Sequence, residues 1–152
     1  MKVNVKKLDS NAVLPTYAKH GDAGMDLTAI SKTQDNQHNF VYGTGLAFEI
    51  PNGYVGLVFP RSSNSKQCLL LSNSVGVIDS GYRGEVILKF KRTLQTYVRG
   101  YEIGDRIGQI IIMPYPQVEF NLVDELSSSD RGVGAFGSTD PITKSIEVNC
   151  GE

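Results

Sequence analysis

Short runs of β-branched and aromatic residues, each closed by a turn-forming cluster, recur along the chain and restrict it to an all-β fold. In chain order the runs are KVNVKKL, MDLTAI, GLAFEI, YVGLVF, VGVI, EVILKF, RIGQIII and QVEFNLV. Clusters such as PNG, SGYRG and GD separate them, a spacing typical of a β-sandwich or β-barrel. One segment, RSSNSKQ after Pro60, favours a helical turn but is too short for a stable helix.

Composition excludes several function classes. The 152 residues fit one domain, and a net charge of −1 provides no basic stripe for a stable nucleic-acid partner. No run approaches the roughly 20 apolar residues of a membrane span, and the N-terminus lacks a signal-peptide core, so we expect a cytoplasmic protein. The cysteines, Cys68 and Cys150, and the histidines, His20 and His38, show neither disulfide-framework nor zinc-site spacing.

The C-terminal part of the sequence differs from the rest. Residues 127–140, SSSDRGVGAFGSTD, are small, polar and rich in glycine. They could form a flexible linker, or a backbone nest for phosphate oxygens in which Phe136 stacks on a flat base. We therefore predict a core over residues 1–126 and an arm over 127–152, in which SIEVN could form a late strand.

The decapeptide GVIDSGYRGE, residues 76–85, places a carboxylate between two apolar runs. Asp79 could simply begin a turn, since aspartate bonds nearby backbone groups and the following glycine permits a positive φ. Alternatively, the segment could hold Asp79 at the edge of a pocket, where it accepts a proton.

Three other segments carry groups suited to a phosphorylated ligand. In PRSSNS, Arg61 beside Ser62 and Ser63 suits a phosphate, although a surface turn is the alternative. In GDRIGQIII, Gln109 could hold a water molecule or face solvent. In AGMDLTA, Asp26 faces away from both its neighbours if the segment is a strand. Together these features predict a nucleotide hydrolase whose Mg²⁺ is carried by the substrate's own phosphates.

These segments, in order, resemble the five motifs of the homotrimeric dUTPase family. The motifs are AGMDLTA, PRSSNS, NSVGVIDSGYRGEV, GDRIGQIII and RGVGAFGSTD, and they extend from Ala23 to Asp140. The resemblance implies a single-domain distorted jelly-roll β-barrel with a mobile C-terminal arm. It also implies a homotrimer with shared active sites that hydrolyses dUTP to dUMP and diphosphate, which keeps uracil out of DNA and supplies dUMP for dTMP synthesis.

The same resemblance assigns roles to individual residues. Asp79 corresponds to the base that deprotonates the attacking water, and Tyr82 to the aromatic ring under the deoxyribose. Asp26 corresponds to an acidic residue that supports the water shell of the metal or the local network. The remaining substrate-binding assignments are Arg61, Ser62 and Ser63 for phosphates, Asn73, Val77, Ile78 and Ile87 for the uracil pocket, and Gln109 for the α-phosphate. In the arm, Arg131, Gly137, Ser138 and Thr139 correspond to γ-phosphate contacts and Phe136 to a ring that stacks on uracil.

Two positions depart from the family pattern. Ser63 replaces a glycine, and Ala135 replaces a glycine before Phe136, which could disfavour closure of the arm if that position needs a positive φ.

Three rival interpretations remain. dCTP deaminase shares the fold but needs a glutamate ten residues after the motif-three aspartate, where this chain has Lys89. A dUTPase with an added protein-binding regulatory role is compatible with the motifs. A plain β-sandwich binding module leaves the matches at Asp79, Tyr82, Arg131 and Phe136 unexplained.

Overall fold

A computed structural model describes residues 1–93 and 98–133 of the chain. In these residues it contains ten β-strands and one 3₁₀ helix. The strands are β1 (Asn4–Lys7), β2 (Met25–Thr28), β3 (Ser31–Gln34), β4 (Phe40–Gly43), β5 (Leu46–Glu49), β6 (Tyr54–Phe59), β7 (Leu69–Leu71), β8 (Gly76–Ile78), β9 (Ile87–Arg92) and β10 (Arg106–Pro114). The 3₁₀ helix, Ser62–Lys66, is the helical turn predicted after Pro60.

The strands form three antiparallel sheets. Two sheets have four strands, in the orders β2-β10-β6-β8 and β3-β4-β9-β7, and a two-stranded sheet pairs β1 with β5. The long strand β10 lies between β2 and β6, which brings the segments around Asp26, Phe59 and Gln109 together. The all-β prediction is confirmed.

The core is formed by alternating side chains of these sheets and by an aromatic cluster. Tyr42 packs edge-on against Phe90 and Tyr101, with ring centroids 5.9 and 6.0 Å apart. The Tyr42 hydroxyl donates to the carbonyl of Tyr101 and accepts from its backbone N–H. Burial raises the pKa of Tyr42 to about 12 and also raises that of Tyr101.

Seven of the eight predicted strand runs contain a strand, and one prediction is wrong. Residues 117–123, QVEFNLV, form no strand. Pro114 and Pro116 interrupt the chain just before them, and a strand needs a neighbouring strand for its backbone groups. Phe120 and Leu122 are 93% and 98% exposed. Strands β3, β4 and β7 were not predicted.

The chain divides into two compact units, Met1–Gln117 and Val118–Glu152. The predicted core over 1–126 and arm over 127–152 stay a prediction. SIEVN, Cys150 and Ala135 lie outside the described residues, and Cys68 is a free thiol. Within the described ranges, no helix is long and apolar enough to span a bilayer.

Candidate active site

Residues 79–86, which we name the crossing loop, carry the chain from one four-stranded sheet to the other. Strand β8 before the loop pairs with β6, whereas β9 after it pairs with β4 and β7. The loop is therefore an inter-sheet connection rather than a tight hairpin.

A turn at the start of the crossing loop holds Asp79. The backbone N–H of Tyr82 donates to the carbonyl of Asp79 at 3.1 Å, as the prediction of a turn required. Gly81 does not have a positive φ, so this turn does not use the conformational freedom that glycine provides. The Arg83 guanidinium closes the turn by donating from Nη1 to the carbonyls of Ser80 and Tyr82 at 2.6 and 2.9 Å.

The ring of Tyr82 folds back over the loop that carries it. Its hydroxyl donates to the carbonyl of Glu85 at 3.0 Å. A Cβ at Gly84 would lie 2.6 Å from the ring carbon Cζ, so the ring occupies the space that a side chain there would need. Gly84 thus leaves room for the Tyr82 ring, and the hydrogen bond to Glu85 orients it.

The base of the crossing loop is tied to the turn between β4 and β5. The Glu85 carboxylate accepts from the backbone N–H of Gly45 at 2.7 Å, and the Thr44 hydroxyl donates to the carbonyl of Val86 at 2.7 Å. Glu85, absent from the predicted site, therefore positions the loop.

A cavity of about 270 Å³ opens beside the crossing loop, and we name it the loop cavity. Its lining residues are Val77, Ile78, Asp79, Tyr82, Glu85, Val86 and Ile87. Five of the predicted site residues meet here: Asp79, Val77, Ile78, Tyr82 and Ile87. Asn73 is not among the lining residues, although its side-chain nitrogen lies near Gly76, where β8 begins.

A second cavity, of about 330 Å³, lies at the ends of β2 and β6, and we name it the polar cavity. Its lining residues are Ala18, Asp22, Ala23, Gly24, Asp26, Arg61, Ser62, Gln109 and Ile111. The cavity brings together predicted site residues from three separate sequence motifs: Asp26, Arg61 with Ser62, and Gln109. Ser63 adjoins it, since its hydroxyl lies 3.3 Å from Nη1 of Arg61.

Arg61 is held in the polar cavity by Asp26. The Arg61 Nε–H donates to Oδ1 of Asp26 at 2.7 Å, and both side chains are largely buried. The second Asp26 oxygen, Oδ2, accepts from Nη1 of Arg106 at 3.0 Å. Of the two predicted roles for Asp26, these contacts favour support of the local network.

Gln109 faces the polar cavity from the centre of its sheet. It pairs with Asp26 of β2 and with Phe59 of β6, and its side-chain amide donates to the carbonyl of Pro60 at 3.1 Å. A Cβ at Gly24 would overlap the Gln109 side chain, so Gly24 provides the room for this amide.

The turn that carries Arg61, Ser62 and Ser63 is anchored from inside by Asn64. This buried side chain donates to the carbonyl of Leu69 at 2.9 Å and accepts from the Tyr101 hydroxyl at 2.8 Å. The polar cavity therefore depends on the aromatic core, a connection that the sequence does not reveal.

The two cavities are separated within the chain. They have no lining residue in common. Strand β8 ends at Ile78 opposite Gly56 on β6, and Arg61 lies five residues further along that strand direction. At about 3.3 Å per residue, Ile78 and Arg61 differ in level by roughly 16 Å. One chain thus presents two separate cavities.

The described residues include only 127–133 of the predicted arm. Arg131 is exposed and belongs to the second unit. The other predicted arm residues, Phe136, Gly137, Ser138 and Thr139, lie outside the described residues.

At the position where a deaminase would need glutamate, the structure shows an ion pair. Lys89 Nζ lies 2.9 Å from Oδ2 of Asp35. The side-chain amide of Asn39, and then Lys89, hold the pKa of Asp35 well below its usual range. In the described part of the chain, no three His, Cys, Asp or Glu side chains cluster closely enough to hold a metal ion.

Known proteins resemble this chain over most of its length. The sequence model of the dUTPase family matches residues 10–140. A deoxyuridine 5'-triphosphate nucleotidohydrolase of Bordetella avium is 41% identical over 144 residues, which cover 90% of this chain and 96% of that protein.

Two solved structures of staphylococcal phage dUTPases resemble the fold. A mutant of the bacteriophage 80alpha enzyme with dUpNHpp has a TM-score of 0.79 at 30% identity, covering 91% of this chain and 98% of that one. A mutant of the phage phi11 enzyme, described as showing the coordination of a structural Mg(II) ion, has a TM-score of 0.70 at 28% identity, covering 82% of this chain and 98% of that one.

Proposed function

Because the chain belongs to the dUTPase family, we propose that its loop cavity and polar cavity are complementary parts of one dUTP-hydrolysing site, completed between copies of the chain. The observation that supports this proposal most strongly is that the candidate residues line two different cavities. The nucleoside-suited groups and Asp79 line one cavity, the phosphate-suited groups line the other, and the two are separated within the chain.

The loop cavity suits uracil and deoxyribose. Its apolar side chains, Val77, Ile78 and Ile87, surround backbone groups that can bond the edge of the base. Asn73 completes this pocket in our proposal. The fixed Tyr82 ring packs under the sugar, where a 2′-hydroxyl would meet it. A site of this kind rejects cytosine because the mismatch leaves buried polar groups unpaired.

The polar cavity suits the triphosphate. Arg61 supplies positive charge, Ser62 and Ser63 supply hydroxyl groups, and Gln109 contacts the α-phosphate and the attacking water. Such preorganised donors stabilise charge that develops during the reaction.

Asp79 is the catalytic base in this mechanism. Its carboxylate accepts a proton from a water molecule, whose oxygen forms a bond to the α-phosphorus. The bond between that phosphorus and the bridging oxygen of the β-phosphate breaks, and diphosphate leaves with the electron pair. General-base help contributes roughly 10²- to 10⁴-fold.

The side chains present fit a metal that arrives with the substrate. No carboxylate cluster forms in residues 1–93 and 98–133, and both Asp26 oxygens contact guanidinium groups. Mg²⁺ retains waters and prefers phosphate oxygens. When bound, it neutralises phosphate charge; Arg61 and Ser62 orient the phosphates around it.

Assembly as a homotrimer would bring the cavities together. The apolar side chains of Val118, Phe120 and Leu122 are 69%, 93% and 98% exposed, which supports burial against another copy. We assign the arm residues Arg131, Gly137, Ser138 and Thr139 to the γ-phosphate and Phe136 to the uracil ring in this assembly.

A hydrolysis assay tests the proposal. Purified protein with Mg²⁺ should release diphosphate and dUMP from dUTP, with dCTP and UTP as matched controls. Comparable turnover of dCTP or UTP would contradict the assigned specificity, and release of ammonia from dCTP would favour deamination.

A further inference from the structure

Arg106 contacts the polar cavity through an ion pair that its sequence position does not suggest. Its Nη1 donates to Oδ2 of Asp26, while Oδ1 of the same carboxylate accepts from Nε of Arg61. A single carboxylate therefore lies between two guanidinium groups. Arg106 is 55% exposed along its side chain, against 26% for Arg61 and 21% for Asp26.

A β-bulge places Arg106 on this face of the sheet. In β10, Gln109 and Gly108 pair regularly with Asp26 and Leu27, but the register then shifts so that Arg106 pairs with Thr28. Strict alternation from the buried Ile110 would place Arg106 on the core face. The bulge instead buries Ile107 and turns Arg106 toward Asp26, an effect for which bulges near functional sites are known.

The ion pair between Arg106 and Asp26 determines how Asp26 contacts Arg61. A carboxylate with both oxygens free commonly binds a guanidinium through two parallel hydrogen bonds. Because Arg106 takes Oδ2, Asp26 contacts Arg61 through Nε. The terminal nitrogen Nη1 of Arg61 instead contacts the Ser63 hydroxyl at 3.3 Å.

We propose that Arg106 is a positioning residue for the triphosphate site: by binding Asp26, it keeps the terminal nitrogens of Arg61 available to phosphate oxygens. This inference rests on the proposed function of the polar cavity. It also explains why Asp26 does not simply neutralise Arg61, since the three side chains together retain one positive charge.

The test is a double-mutant cycle on Arg106 and Asp26, read as separate kcat and KM values for dUTP. Arg106→Gln should raise KM by roughly three- to tenfold with a smaller change in kcat. Arg106→Lys should restore most of the loss, because its ammonium group can still bind Asp26. In the Asp26→Asn background, Arg106→Gln should have little further effect.

Arg99→Gln is the matched control, since Arg99 is an exposed arginine that pairs with Glu102. Its KM should match that of the wild type, and thermal melting should show all variants folded. Effects of Asp26→Asn and Arg106→Gln that multiply would overturn the proposal, because Arg106 would then act independently of Asp26. A wild-type KM in Arg106→Gln would also overturn it.

A crystal structure of Arg106→Gln gives a readout that does not depend on activity. We expect Asp26 to bind Arg61 through two nitrogens, and an unchanged single contact would contradict the inference. A wild-type enzyme that fails to hydrolyse dUTP would instead contradict the proposed function, so the two failures are distinguishable.

Discussion

The crossing loop and the polar cavity hold their functional groups in different ways. In the loop, the contacts that orient Asp79 and Tyr82 join residues one to three positions apart. In the polar cavity, Asp26 contacts residues 35 and 80 positions away, and Gln109 contacts Pro60 across 49 positions. The turn that carries Asp79 and Tyr82 is set by local contacts, although the base of the loop is tied to Thr44 and Gly45. The polar cavity depends on the register of three strands.

The two regions also differ in the chemical groups that they carry. In our proposal, the locally built loop presents the catalytic base and the apolar floor, which need a fixed orientation. The strand-built cavity presents cationic and amide groups, whose positions would have to match several phosphate oxygens. We expect substitutions in the loop to change single steps and substitutions in the cavity to change several contacts together.

Removal of the Asp79 charge should have the largest effect. Asp79→Asn should lower kcat for dUTP by roughly 10²- to 10⁴-fold and change KM little, because the amide cannot accept the proton from water but keeps the side-chain shape. Steady-state kinetics measures both values, with the exposed Asp9→Asn as a control. A kcat within threefold of the wild type would show that the loop does not supply the base.

A pair of glycine substitutions tests whether Tyr82 is positioned locally. Gly84→Ala should displace the tyrosine ring at a cost of about 1 to 3 kcal/mol and lower kcat/KM by a corresponding factor. Gly81→Ala is the control, since a Cβ there meets no atom within 4 Å and its φ is not positive. Equal effects of both changes would contradict the assigned role of Gly84.

Alkaline pH should destabilise the aromatic core on which the polar cavity depends. The pKa of Tyr42 lies at about 12 in the folded protein, above its ordinary value of about 10. Between these values the folded state retains a proton that the unfolded state has lost, so the free energy of unfolding falls as the pH rises, by roughly 2 to 3 kcal/mol.

Urea unfolding at pH 9 and pH 11 measures about half of this change, since pH 11 lies midway between the two pKa values. Tyr42→Phe should be less stable than the wild type at pH 9, because it loses its bonds to Tyr101, and should show a shallower pH dependence. Equal pH dependence in both proteins would contradict the role of Tyr42.

The fold was largely predictable because most strands carry apolar residues in recognisable runs. Strand β3 was missed because SKTQ has no apolar residue, and its pairing with β4 depends on neighbours distant in the sequence. The run at 117–123 has the alternation of a strand, yet alternation cannot specify which strand will pair with it. The sequence thus predicts which segments can form strands, and the presence of a strand to pair with determines which of them do.

The candidate site was predictable where its chemistry is local. Asp79 and Tyr82 lie within one decapeptide, and their turn follows from Asp-Ser-Gly. Arg106 was not predicted as a site residue because its contact with Asp26 spans 80 positions and depends on a bulge, which alternation cannot locate. Ile107 and Ile110, both buried, lie three positions apart, which a regular strand does not allow on one face.

Complementation between two inactive variants tests the central claim that the loop and polar cavities of different copies form one site. Asp79→Asn and Arg61→Gln chains should each have little activity alone. When they are coexpressed in equal amounts, about one quarter of the shared sites should combine an intact loop with an intact polar cavity, as random mixing in a symmetric assembly requires. Mass spectrometry under native conditions would verify mixed assemblies. Recovery of activity is the predicted result, and mixed assemblies no more active than the separate variants would contradict the account.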